Sequence, residues 1–119
     1  MAVKSLPPFQ IITNGVMTGT NVLTSTVTDI RNLDNVAIAL QFTGTPTGTF
    51  AVNGSLDYNT ATQVGTWIPL TLSPAPAAAG AASQILINMT GLAFPFIQAT
   101  YTNTSGTGTL NAFIAAKAV

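Results

Sequence analysis

Strict two-residue alternation restricts this chain to β-structure. In Val36-Ala37-Ile38-Ala39-Leu40-Gln41-Phe42-Thr43 the large apolar residues take every second position, and small or polar residues fill the gaps. Successive strand side chains point to opposite faces, so this spacing gives a ribbon with one apolar side. The same alternation runs through 49–53, 96–102 and 109–115. Threonine, at 20 positions, is the dominant polar residue; its β-branch limits χ1 and suits a pleated, half-exposed surface. No stretch carries the 3.6-residue apolar period of a helix.

Turn residues separate these ribbons. Gly44-Thr45-Pro46-Thr47-Gly48 reads as the turn of one β-hairpin, and Asn103-Thr104-Ser105-Gly106-Thr107-Gly108 as that of a second. The two segments resemble each other from Phe42 to Phe50 and from Tyr101 to Leu110, which either an internal duplication or convergence on one turn chemistry explains. Further strands are expected within 9–13, 22–30, 66–72 and 85–89. Pro69 relegates its strand to an edge or a bulge, and the prolines and Gly80 within 73–83 favour an extended loop over a helical turn. Seven or eight short strands with turns between them predict an all-β chain, a single antiparallel β-sandwich of jelly-roll type. One domain is expected at this length: residues 11–119, preceded by an extended N-terminal arm over 1–10 in which Pro7 and Pro8 favour an extended path.

Charge narrows the function. Only Lys4, Asp29, Arg31, Asp34, Asp57 and Lys117 carry charged side chains at neutral pH, 5% of the chain, and the formal net charge is zero. Soluble domains are typically about one-quarter charged, and chains near zero net charge tend to associate. A 47% hydrophobic content argues for a folded chain rather than a disordered one. Without histidine or cysteine, a nucleophile–base–orienter triad has no members. Lys4 and Lys117 lie beside the termini, where the burial that makes a lysine a base is hard to build. Asp29, Asp34 and Asp57 could supply paired carboxylates for glycosidic chemistry, but aspartate more simply starts turns, and Asp29 or Asp34 can pair with Arg31. The 29–35 segment lacks the acidic density of a calcium loop, and three basic residues are too few for nucleic acid. No apolar run approaches the roughly 20 residues of a membrane-spanning helix. The N-terminal residues lack the apolar core of a secretory signal, so synthesis in the cytosol is expected and the Asn-X-Ser/Thr triplets at Asn53, Asn88 and Asn103 carry no weight. The expectation is a non-enzymatic protein with no cofactor, no metal, no nucleic acid and no membrane, working through apolar and hydroxyl surface.

Several residues are candidates for that surface. Trp67, Tyr58, Phe94, Phe96 and Tyr101 would suit a sugar-stacking platform or, more simply, a core. Leu92, Phe94 and Phe96 crowd around Pro95, where they either plug the end of the sandwich or form an exposed apolar knob. The last strand offers only Lys117 as a guard against edge pairing. Either it lies within a sheet or another subunit covers it.

The runs Asn35–Phe50 and Ile97–Ala112 resemble small β-rich virion proteins of tailed bacteriophages, most of all the capsid decoration, or cement, class. The resemblance extends over roughly 35–117. It implies a β-sandwich on the virion surface, commonly a trimer, that clamps subunits of the major capsid protein; no individual functional residue carries over. From the residues themselves, the expected interface comprises Leu6, Pro7, Pro8 and Phe9 of the arm, Leu92, Phe94 and Phe96 of the knob, and Phe113 of the last strand. A tail, fibre or baseplate subunit is the alternative within virion proteins. A carbohydrate-binding module is the alternative outside them, and it requires an exposed Trp67 or Tyr58.

Overall fold

The computed structural model describes residues 5–31, 33–72 and 75–118. Among them are ten strands and no helix: β1 (Ser5–Met17), β2 (Val22–Thr24), β3 (Thr28–Asp29), β4 (Asn35–Gly44), β5 (Thr47–Ser55), β6 (Ile68–Pro69), β7 (Ala77–Ala79), β8 (Ser83–Met89), β9 (Phe96–Ser105) and β10 (Gly108–Lys117). All pairings are antiparallel. The first sheet has the order β1-β10-β4-β8 and the second β2-β9-β5-β6, with β3 also on β9 and β7 also on β5.

Two of the eight sheet positions are each filled by two short strands. Along β9, β2 pairs with 100–102 and β3 with 96–97. Buried Ser25 spans the gap between them: its N–H donates to the Ala99 carbonyl at 2.8 Å, and its hydroxyl oxygen accepts from the Ala99 N–H at 2.9 Å. Along β5, β6 pairs with 53–54 and β7 with 47–49. With those merged, the orders are those of an eight-stranded jelly roll, as the strand count and alternation predict. Pro69 sits on the edge strand β6, where its missing N–H does least harm.

The two hairpins read from the sequence are not hairpins. β4 and β5 follow one another but lie in different sheets, and so do β9 and β10. β4 pairs instead with β10 without a register shift, from Gly44↔Gly108 to Asn35↔Lys117. β5 pairs with β9 from Ser55↔Phe96 to Thr47↔Ser105. Turn residues report that the chain reverses; they do not report which strand becomes the partner. Here each reversal arches from one sheet to the other, and the two arches lie side by side. Their sequence similarity therefore has a structural reason, because both make the same crossing at the same end.

The core is the alternation made solid. Val36, Ile38, Leu40 and Phe42 of β4 face inward beside Leu110, Ala112, Ile114 and Ala116 of β10. Phe50, Val52, Ile97, Ala99 and Tyr101 oppose them from the second sheet. The Phe42 and Phe50 rings bridge the sheets with centroids 5.6 Å apart, and Phe50 packs on its neighbour within the second sheet, Tyr101, at 4.6 Å. Such tilted pairs add to simple area burial.

Two further expectations change. Residues 5–10 are not a free arm: from Ser5 onward they form the first half of β1, paired to β10, while Met1–Lys4 lie outside the described residues. A register shift between Leu6 and Phe9 accommodates Pro7 and Pro8, which cannot donate to the ladder. β10 lies inside its sheet between β1 and β4, so its lack of guarding charge requires no covering subunit.

Candidate interaction surface

Among the described residues no group of three or more carboxylates or other metal-binding side chains forms, so the surfaces to consider are the outer faces of the sheets and the loops at their ends. On the first sheet the outward residues follow from parity and register. Phe113, Ala39 and Leu86 lie in one row across β10, β4 and β8, and Ala115, Ala37 and Asn88 in the next. On the other side of Phe113 runs a row of amides, Asn111, Gln41 and Gln84. The Asn111 carboxamide oxygen accepts from Gln10 Nε2 at 2.7 Å and from the Asn14 N–H at 2.8 Å, which ties the irregular strand β1 to the face. The result is a flat apolar strip rimmed by amides, with Lys117 at one margin. Leu86, 66% exposed, is its most prominent apolar side chain.

The outer face of the second sheet is different. Thr24 and Thr100 stand beside Ala51, and Val22 and Thr102 beside Thr49, giving a hydroxyl-rich surface without charge. Threonines in such cross-strand pairs support the sheet while leaving hydroxyls in solvent.

Beyond Ser55 the 56–67 loop folds over this second face. Tyr58 packs against Trp67 and Phe96, with ring centroids 5.5 and 5.1 Å away, and the Arg31 guanidinium lies 5.7 Å from the Phe96 ring. Asp57 anchors the loop by accepting from the Thr66 N–H at 2.7 Å, the Thr66 hydroxyl at 2.9 Å and the Ser55 hydroxyl at 3.0 Å. These bonds, the Thr66 N–H first, hold its carboxyl below the ordinary aspartate value of 3.8. Arg31 grips Asp29 through both carboxylate oxygens and lowers its pKa in the same sense. Both carboxylates are thus occupied in holding loops. Trp67 and Tyr58 are half-buried and packed against each other.

The expected interface residues do not form one site. Leu6, Pro7 and Pro8 line a shallow groove of about 640 Å³ with Val36, Met89 and Ala116; the neighbouring Phe9 is 39% exposed. Phe113 lies at the centre of the first face. Leu92 and Phe94 are half-buried against the core at the loop-covered end, where Phe94 leans on Gly54 so closely that a Cβ there would sit 2.8 Å from the ring. Phe96 is buried beneath Tyr58 and offers no surface. Leu56 and Ile68, exposed beside Phe94 around an apolar recess of about 270 Å³, were not among the candidates. Neither was Leu86, although the alternation of 84–88 already sets it opposite in parity to Ile85 and Ile87.

No family model and no curated protein sequence matches this chain. Solved structures share its fold. A chain in the structure of infectious bursal disease virus Gx strain superposes with a TM-score of 0.60 over 98% of this chain, at 7% sequence identity. This chain spans about a third, 32%, of that one. The SPBc2 prophage-derived protein YomS superposes with a TM-score of 0.51 over 99% of this chain and 96% of its own length, at 8% identity. At such identities the shared property is the jelly-roll fold.

Proposed function

We propose that this chain is a non-enzymatic structural subunit of a phage virion, a decoration protein that seats on the major capsid lattice. The observation that carries the proposal is the outer face of the first sheet: an apolar strip through Phe113, Ala39 and Leu86, rimmed by amides. Such a face packs against a neighbouring protein with little desolvation cost, because it holds few groups that must find a charged partner. The fold shared with a virus chain and a prophage-derived protein supports the same reading. Repetition over a lattice would make a modest contact strong in sum.

The test is cosedimentation of the purified chain with undecorated shells of the virus whose genome encodes it. Stoichiometric binding by the natural chain, and its loss in Phe113→Asp with the thermal midpoint unchanged, is the expected result. Absence from the shell together with labelling of the tail by antibody would replace decoration by the tail-subunit alternative. No labelling of the virion anywhere would end the structural reading.

A further inference from the structure

The two edges of the first sheet are unequal. β1 carries Pro7 and Pro8 and shifts register against β10 three times, between Leu6 and Phe9, Gln10 and Ile12, and Ile12 and Gly15. Proline and bulges are the usual means of stopping a strand from recruiting another. β8 has neither. It runs in unbroken register along β4, from Met89↔Val36 to Ser83↔Phe42, with no proline, glycine or charged residue in its seven residues. Among the described residues β4 is its sole strand partner, and no backbone bond from a loop reaches it. One row of its N–H and C=O groups is therefore open to pairing.

The sequence of β8 says what would pair there. Gln84-Ile85-Leu86-Ile87-Asn88 reads with the same chemistry in either direction about Leu86. An antiparallel twofold contact centred on Leu86 sets Gln84 opposite Asn88, Ile85 opposite Ile87, and Leu86 opposite its own copy. The outward amides meet amides, the inward isoleucines meet isoleucines, and no like charges face each other. We propose that this chain forms a twofold dimer by antiparallel pairing of β8 with β8 of a second copy, fusing the two first sheets into one eight-stranded sheet.

Pairing stops there, because the remaining edge of each sheet is the guarded β1; an isologous contact that consumes its own surface closes. The contact also covers Leu86 and brings the second copy beside a recess that β8 lines together with Leu70, Leu72, Pro76 and Leu92. One strand and its flanks make an interface at the low end of the size range, below about 1,200 Å², so the dimer is concentration-dependent. The edge offers a twofold contact; the threefold arrangement that the phage resemblance implies would need a different surface. The inference does not rest on the virion role, and its test needs the chain alone.

That test is sedimentation velocity of the full chain over a wide dilution series, for the natural sequence and for Leu86→Lys and Leu86→Glu. Leu86 is exposed, so both variants are expected to keep the fold, as circular dichroism checks. The natural chain should dimerise reversibly, each variant alone should dissociate at least about tenfold more readily, equivalent to about 1.4 kcal/mol, and the two variants mixed should recover a heterodimer. A natural chain that stays monomeric at its highest soluble concentration, an open polymer, or a dimer indifferent to both substitutions would overturn the proposal. If the variants do not fold, hydrogen exchange on the natural chain decides: slowing with concentration that is confined to 83–89 supports β8 pairing, and no such slowing rejects it.

Discussion

Four short turns, at 18–21, 45–46, 80–82 and 106–107, meet at one end of the sandwich, whereas the described residues of the longer connections at 30–34, 56–67 and 90–95 cover the other. The turns are bonded into one cap. The Gly80 N–H donates to the Pro46 carbonyl at 2.8 Å and the Thr45 N–H to the Thr107 carbonyl at 2.8 Å. Asn103, 1% exposed, joins the first turn to the last: Nδ2 donates to the Gly19 carbonyl at 3.0 Å and the Gly106 carbonyl at 3.2 Å, while Oδ1 accepts from the buried Tyr101 hydroxyl at 2.7 Å. Each of the four turns is thus held by at least one other part of the cap. At the opposite end the 30–34 and 90–95 connections share two backbone bonds, Ile30 N–H to the Pro95 carbonyl at 2.7 Å and Leu92 N–H to the Asp34 carbonyl at 3.1 Å, whereas the 56–67 loop rests on aromatic packing and on its Asp57 anchor, and apolar side chains reach solvent there, with Leu56 at 74% and Ile68 at 59% exposure. That end is free to carry surface chemistry, in keeping with the general rule that binding groups sit on loops held by a rigid scaffold.

The sharpest way to break this contrast is Asn103→Ala. It removes three hydrogen bonds and leaves the buried Tyr101 hydroxyl without its acceptor, so a loss of about 3 kcal/mol is expected, read as a lower urea midpoint with unchanged slope. A pair of glycine substitutions sharpens it further. Gly106→Ala meets a positive φ of 76° and the Thr45 carbonyl, whereas Gly91→Ala at the open end meets a φ of 66° and no neighbour within 4 Å. The first should cost about 2 kcal/mol or more and the second about 1 kcal/mol, the conformational penalty alone. Similar losses in thermal melts would remove the distinction between the ends.

Phe94→Ala should cost about 1.5 kcal/mol, less than a fully buried ring, because its side chain is half-exposed; calorimetry would measure it. The smallest effect is that of acid. Asp29 and Asp57 bind protons less readily folded than unfolded, so their stabilisation is present above the ordinary aspartate value of 3.8 and is lost as pH falls through their lowered values. Stability should therefore decline below about pH 4, with exchange in 56–67 accelerating before exchange in the turn cap. Tyr101 acts in the alkaline range. Burial raises its pKa above 10.0, so stability falls as pH rises past that value.

How much of this was legible depends on the range of the interaction concerned. The inward set of β4 could be read residue by residue, because parity along one strand is a local property. Pro69 announced an edge for an equally local reason. The pairing of β4 with β10 could not be read, since nothing in Gly44–Gly48 states whether the chain folds back within a sheet or crosses to another. Phe96 looked like part of an exposed knob because its neighbours Phe94 and Pro95 are apolar; it is buried because a loop some forty residues earlier lays Tyr58 over it. Asn103 resembled a surface acceptor triplet, and its role as the clasp of the cap depends on Gly19, far away in sequence.

The sequence by itself determined that this protein is all-β, which side of each long strand is apolar, and that its surface would be nearly without charge. Those properties follow from side-chain identity and a two-residue period. Tertiary structure decided that the two apparent hairpins are arches, that the residues expected to form an arm complete a strand, and that β8 rather than β10 lies at the edge of its sheet. Each of those depends on partners chosen across the whole chain, where the free energy of pairing long, regular, apolar strands outweighs the preference of any single turn.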